Sequence, residues 1–294
     1  MPKIVSVNVL PDPKGKGNDT YQAIYDDGRK LEVPRYSSVK KYVLTPALQH
    51  YQKTSQANPL TQEEIYNLIQ GTKMQGADAV ANAIYSAIFC GTPEDRSRDA
   101  MNIGSHIHKL IEDYLSGHDV GKVEEPFTYA WEQFLLFANA HKIEVMPEGL
   151  ECPLVSEKYL FGGRVDMIAY VDGILSIVDW KTSKDIYSDY AAQISCYAQL
   201  WNENNPEKPV KQGICVRVPK TEWTEYTNKK TGKVTRIHHK LLTLEMNEYQ
   251  LEWVFSNMFK SELNIYNYME STTTLKKTKE FLDAVYKEHL SKIN

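Results

Sequence analysis

Residues 161–183 read FGGRVDMIAYVDGILSIVDWKTS. Two runs rich in apolar and β-branched residues, one ending at Val171 and one starting at Ile174, flank the dipeptide Asp172-Gly173. Asp-Gly suits a two-residue hairpin loop, because both loop positions need a positive φ. If the runs pair about that loop, positions whose numbers sum to 345 face each other, and Asp166 falls opposite Asp179. Asp179 and Lys181 are two residues apart, so on a strand they share a face.

Two carboxylates that close repel strongly unless a cation lies between them. A hard divalent ion with oxygen ligands is the natural occupant. Lys181 then faces developing negative charge or an attacking water, the layout of metal-assisted phosphodiester hydrolysis. Asp-x-Lys by itself fits equally well a surface salt bridge across a hairpin. Ile177 and Val178 argue otherwise: they make the strand look buried, and a buried aspartate needs partners.

Upstream, NIGSHIHKLIEDYLSG places apolar residues at Ile103, Ile107, Leu110, Ile111, Tyr114 and Leu115, a helical stripe. Gly104, His108 and Glu112 run at four-residue steps along its flank, so His108 and Glu112 project together. His106 points elsewhere. A hydrogen-bonded boundary histidine is the plain alternative for His108. Downstream, Gln193 and Tyr197 form an i, i+4 pair on the helix expected at about 187–203.

The wider chain sorts into three stretches. Residues 1–35 read as a β-hairpin, with a tight turn at Asp27-Gly28. Residues 36–144 read as a helical region packed on the core. Its helices fall near 37–53, 61–70, 76–90, 98–116 and 125–141, and Thr61 with Glu64 resembles a capping box. Residues 145–294 read as the core. Its short strands turn at Gly162-Gly163 and Asp172-Gly173, a helix is inserted, and two helices close it near 246–268 and 275–290. The fold class is α/β (α+β), a mixed central sheet flanked by helices with a helical N-terminal region, in one integrated domain.

Composition excludes several classes. At 42% hydrophobic and 24% charged residues over 294 positions, a sizeable core can form. No stretch approaches the roughly 20 apolar residues of a membrane span. Cysteines at 90, 152, 196 and 215 make no C-x-x-C pair, which gives a zinc site little support and suits free thiols in a reducing compartment. The N-terminal segment has neither an apolar signal core nor transit-peptide character. The expected location is the cytoplasm of a cell or of a virus-infected host. The net charge of −4 argues, taken alone, mildly against a nucleic-acid partner.

Taken in order, G-S-x-x-H at 104–108, G-G-R-V-D at 162–166, V-D-W-K-T-S at 178–183 and Q-x-x-x-Y at 193–197 resemble the RecB-like branch of the PD-(D/E)xK nucleases. Glu151 falls where such sequences often carry a glutamate. YSSVKKYVLTPALQHY weakly resembles the start of phage and mitochondrial-genome-maintenance exonucleases of this branch. The resemblance implies a restriction-endonuclease-like core in which His108, Asp166, Asp179 and the main-chain carbonyl of Trp180 bind Mg²⁺ or Mn²⁺. It implies that Lys181 positions or activates water and stabilises the transition state. Gln193 and Tyr197 would orient the site or contact the DNA backbone, with Glu151 and Glu112 as auxiliary groups. The third motif is often Glu-x-Lys; here it is Asp-x-Lys, which keeps a carboxylate. Iron–sulfur relatives carry one cysteine before the core and three clustered after it. That spacing is missing here, so no cluster is expected.

Residues 206–240 hold nine Lys or Arg against three Glu, which leaves −10 for the rest of the chain. Lys220, Trp223, Tyr226, Lys229, Lys230, Lys233 and Arg236 form a basic, aromatic hairpin suited to single-stranded nucleic acid, with a solvated hairpin as the plain alternative. TNKKTGK, which lacks the first Gly of a phosphate-binding loop, is its turn. The expected function is therefore a metal-dependent deoxyribonuclease, an exonuclease on single strands or DNA ends in replication, recombination or repair. Its partners would be DNA and replication or recombination proteins, with no membrane. The competing expectations are a non-catalytic DNA-binding assembly factor with a nuclease fold and a structure-specific endonuclease. The intact set of His108, Asp166, Asp179 and Lys181 favours catalysis.

Overall fold

A computed structural model describes residues 2–13, 19–39, 93–228 and 231–271, with five single positions beyond. The helices expected near 61–70 and 76–90, most of that at 37–53, and the Thr61 capping box lie outside the described residues, and of that at 275–290 only the five single positions are described, all helical. Cys90, Lys229 and Lys230 also lie outside the described residues. The chain divides into two compact units, Met1–Leu44 with Leu110–Asn294, and Thr45–Lys109.

The larger unit is mixed α+β around a five-stranded sheet in the order β10-β7-β6-β5-β4. Its strands are β4 (Ile143–Ser156), β5 (Phe161–Val171), β6 (Ile174–Lys181), β7 (Gln212–Arg217) and β10 (Leu242–Asn247). Only β6 and β7 run parallel, joined through a helix, here called α4 (Ser188–Asn204). This is the expected strand cluster with one inserted helix. Every residue of β6 from Leu175 to Trp180 is buried, as both faces of a central strand must be.

The β5–β6 hairpin has the expected register. Five pairs, from Val171↔Ile174 to Met167↔Val178, keep the sum of 345, and Asp172 and Gly173 carry φ of 51° and 84°. A two-residue loop with both φ positive matches the twist of the strands it joins.

The other expected turn is not one. Gly162 and Gly163 lie inside β5, and the chain reverses before it, between Ser156 and Phe161. The glycines answer to packing. A Cβ on Gly163 would stand 2.6 Å from Tyr197 Cε1, and one on Gly162 would stand 2.7 Å from the Tyr21 side chain. Glycine inside a strand marks such a close approach.

The first 35 residues form three strands: β1 (Ile4–Leu10), β2 (Thr20–Tyr25) and β3 (Lys30–Pro34), an antiparallel meander. A one-turn helix, α1 (Tyr36–Val39), follows. Helix α2 (Pro93–Leu115) contains the stripe read from sequence, with Ile107 and Ile111 buried. Helix α3 (Thr128–Ala140) presses Phe134 and Phe137 edge-on to Trp180, at ring separations of 5.5 and 5.7 Å. Tyr197, Ile194 and Leu200 of α4 pack with Ile177 and Phe161, so α4 covers the sheet opposite the Trp180 face. Helix α5 (Glu248–Val254) continues through a π turn at Phe255–Phe259 into α6 (Lys260–Ser271), and Leu251, Phe255, Phe259 and Leu263 close that core. A two-stranded ribbon of β8 (Trp223–Thr227) and β9 (Val234–His238) completes the described strands.

Candidate active site

The sheet brings three carboxylates into one row. On β5, Asp166 is the position just past the last β5–β6 pair, where the register would set it against Asp179 of β6. The strands part there, and the Asp166 Oδ2 atom accepts the Trp180 main-chain N–H at 2.9 Å. A carboxylate thus takes the acceptor place in the ladder. On the other side, Leu150↔Met167 and Cys152↔Val165 bracket Glu151 against Asp166. The register of β4 shifts between Val145 and Leu150, and Glu148 and Glu151 carry φ of 55° and 48°. Positive φ at non-glycine residues is strained backbone, and irregularities of this kind re-aim side chains. Glu151 and Asp166 offer carboxylate oxygens within 4.8 Å of each other.

Asp179 is 1% exposed, and the Lys181 ammonium pairs with its Oδ2 atom at 2.5 Å. Lys181, 17% exposed at its side chain, also lies over the Tyr190 ring at 5.1 Å. Burial works against its charge, yet Asp179 first and Asp166 second outweigh burial and hold its pKa above the ordinary lysine range. Tyr197, beside them, is held protonated by burial and then by the Asp179 charge. Its hydroxyl accepts the Gln193 amide N–H at 2.8 Å, so the i, i+4 pair is made. In the parallel register Cys215 of β7 lies beside Asp179, and burial, then Asp179, pushes its thiol up to about 12.

His108 and Glu112 are both half-buried on α2; His108 falls in the smaller unit and Glu112 in the larger. In the ribbon, all ten strand residues are exposed, Trp223 at 49% and Tyr226 at 61%. Trp223 stacks on His238 at 4.3 Å. Lys233 is exposed and Lys220 half-buried. The count of nine basic residues overstates the available charge. Arg236 pairs with Glu225 and Lys211 with Glu248, each at 2.7 Å, and Arg217 is buried.

Sequence reading passed over three participants. Tyr190 supplies the ring against Lys181. Arg164, exposed in the G-G-R-V-D motif, holds Glu151 at 2.7 Å. Arg217 ends a buried strand, and the signal was available: an arginine inside the apolar run GICVRV needs acceptors wherever it is buried.

Residues 129–253 match the family model described as the PD-(D/E)XK nuclease superfamily. The matched stretch contains Glu151, Asp166, Asp179, Lys181, Gln193, Tyr197 and the ribbon, and the mixed sheet flanked by helices is consistent with that fold. The match implies a nuclease that uses divalent metal ions. No curated protein matches the chain. Among the described residues no helix is long and apolar enough to cross a membrane.

Proposed function

We propose that the protein is a metal-dependent deoxyribonuclease of the RecB-like branch, similar to phage and mitochondrial-genome-maintenance exonucleases. Its substrates are single-stranded DNA or DNA ends arising in replication, recombination or repair. One observation carries the reading: Glu151, Asp166 and Asp179 occupy one row across three neighbouring strands, with Lys181 paired to the buried Asp179.

That donor set fits a hard divalent ion, Mg²⁺ or Mn²⁺. Asp166, Asp179 and the Trp180 carbonyl would hold it, with His108 the further ligand that its G-S-x-x-H motif implies. When bound, the ion supplies Lewis-acid polarisation of the phosphate and a nucleophilic water at neutral pH. Lys181, charged beside two carboxylates, stabilises negative charge building on the scissile phosphate. Gln193 fixes the Tyr197 hydroxyl and so helps define the wall of the site. The ribbon takes up single-stranded DNA, with bases on Trp223 and Tyr226 and phosphates on Lys220, Lys229, Lys230, Lys233 and Arg236.

The test compares 5′-labelled, 3′-labelled and circular single-stranded DNA with Mg²⁺ or Mn²⁺. An exonuclease degrades both linear substrates, releases the label first from one end only, and spares the circle. Cutting of the circle at the linear rate would contradict the exonuclease reading.

A further inference from the structure

Arg217 is 3% exposed, yet among the described residues no carboxylate forms an ion pair with it. Its guanidinium instead spans two segments. Nε donates to the Ser183 carbonyl and Nη2 to the Lys184 carbonyl, both at 2.7 Å, while Nη1 donates to the Lys240 carbonyl at 2.8 Å. The first two carbonyls belong to the loop that leaves Lys181, and the third follows the ribbon. Burying an arginine without a carboxylate is unfavourable unless its donors find other acceptors. What arginine provides is a planar fork of five donors that can hold several acceptors at once.

The connection extends into the ribbon. Nη2 lies 3.3 Å from His239 Nδ1. A guanidinium only donates, so Nδ1 must accept, and the His239 proton sits on Nε2. Nε2 in turn meets the Thr224 hydroxyl on β8. The Tyr129 hydroxyl donates to the His239 carbonyl at 2.6 Å, and the Leu241 N–H donates to the Gln133 side chain at 2.9 Å, so helix α3 anchors the ribbon's exit. Beside Arg217, the Val218 N–H donates to the Lys181 carbonyl at 2.7 Å. Hydrogen bonds therefore run from Thr224 through His239 and Arg217 to the loop two residues past Lys181.

We propose that Arg217 is a positioning residue that couples occupancy of the β8–β9 ribbon to the placement of Lys181. The proposal rests on the nuclease reading above. A strand seated on the ribbon fixes Thr224 and His239, and through Arg217 these fix Ser183 and Lys184. The ammonium is then held against Asp179 in its working position. A substrate too short to reach the ribbon forgoes that step.

The test uses the full chain carrying Arg217→Lys, which keeps the charge but loses the fork, and Arg217→Met. Steady-state hydrolysis is compared on a long single-stranded oligonucleotide and on a dinucleotide. Misplacement on the ångström scale costs up to about a hundredfold in rate. Both variants are expected to lower the ratio of long-strand to dinucleotide kcat by about tenfold or more, with the long-strand KM little changed. Equal losses on both substrates, tracking a lower Tm, would mean a structural role only and overturn the proposal. A second readout needs no activity. Hydrogen exchange with the oligonucleotide added should show protection of 182–186 together with the ribbon in the wild type, and of the ribbon alone in Arg217→Lys. If the wild type hydrolyses neither substrate, the nuclease reading fails, and this exchange pattern alone decides the coupling. Protection of the ribbon without 182–186 in the wild type, or no protection anywhere, overturns it.

Discussion

At the residue scale, the account turns on Asp179, buried at 1% exposure with Lys181 at 2.5 Å. Breaking a buried pair by removing one partner costs about 3–5 kcal/mol, because the other charge is left behind. Lys181→Met is therefore expected to lower urea stability by about 3 kcal/mol and to remove hydrolysis. Raised Mg²⁺ should recover part of that stability, because an ion bound to the native state alone stabilises it. Unchanged urea stability would show that the pair is not energetically coupled. Cys215 gives a pH prediction. Its folded pKa, about 12, lies above the unfolded thiol value of roughly 8.5. The native state therefore holds its proton where the unfolded state has lost it, and this contribution to stability is full below about pH 8.5 and declines above it. In the same window folded Cys215 should resist alkylation that the unfolded chain undergoes readily. Rapid alkylation of the folded protein at pH 9 would contradict the burial argument. Asp166, Asp179 and Lys181 were legible because strand parity and an Asp-Gly loop fix which residues meet. Arg164 and Tyr190 were not, since an ion pair and a ring contact depend on how β4 and α4 lie against those residues.

At the element scale, Gly163 shows where pattern reading failed. Two adjacent glycines read as a turn, whereas here they admit the Tyr197 and Tyr21 rings against a strand. That contact is long-range, so no local rule contains it. Gly163→Ala is expected to destabilise the fold by about 1–3 kcal/mol, as overpacking does. A urea midpoint equal to wild type would mean that Tyr197 yields freely. The ribbon's own attachment is pH-sensitive. Burial, then the Arg217, Lys184 and His238 charges, hold the His239 pKa below the ordinary histidine value. Glu222, whose carbonyl accepts the His239 N–H, and Tyr129 also face it. A depressed histidine pKa adds stability that is present above the unfolded value of about 6.5 and lost as pH falls through the folded one. Acidification should thus speed hydrogen exchange in 222–241 before the β5–β6 ladder changes. Simultaneous loss of both would contradict a separately anchored ribbon.

At the scale of the whole molecule, a net charge of −4 is an average over unlike parts. The basic segment faces DNA in this account, and part of the acidity elsewhere belongs to a metal site where carboxylates are required. Charge balance therefore bounded solubility without excluding a nucleic-acid partner. Affinity for single-stranded DNA should fall with salt, by about 0.7 in log–log slope per phosphate contact. Lys233→Ala should reduce that slope by about one contact, whereas Trp223→Ala should weaken binding with the slope unchanged. Equal slopes in all three proteins would remove Lys233 from the interface. The architecture was legible as a strand cluster with one inserted helix, because alternation and glycine spacing survive in any single sequence. At the start, the β-prone run at Ile4–Val9 and the Asp27-Gly28 turn were legible, and the structure joins them as a three-stranded meander in place of a hairpin.

The most direct test of the central claim is hydrolysis of labelled single-stranded DNA by wild type and Asp179→Asn, with Mg²⁺ or Mn²⁺ and with EDTA. The account predicts degradation by the wild type that stops with EDTA and falls to background in Asp179→Asn. Degradation that survives EDTA, or that proceeds at the wild-type rate in Asp179→Asn, would contradict it.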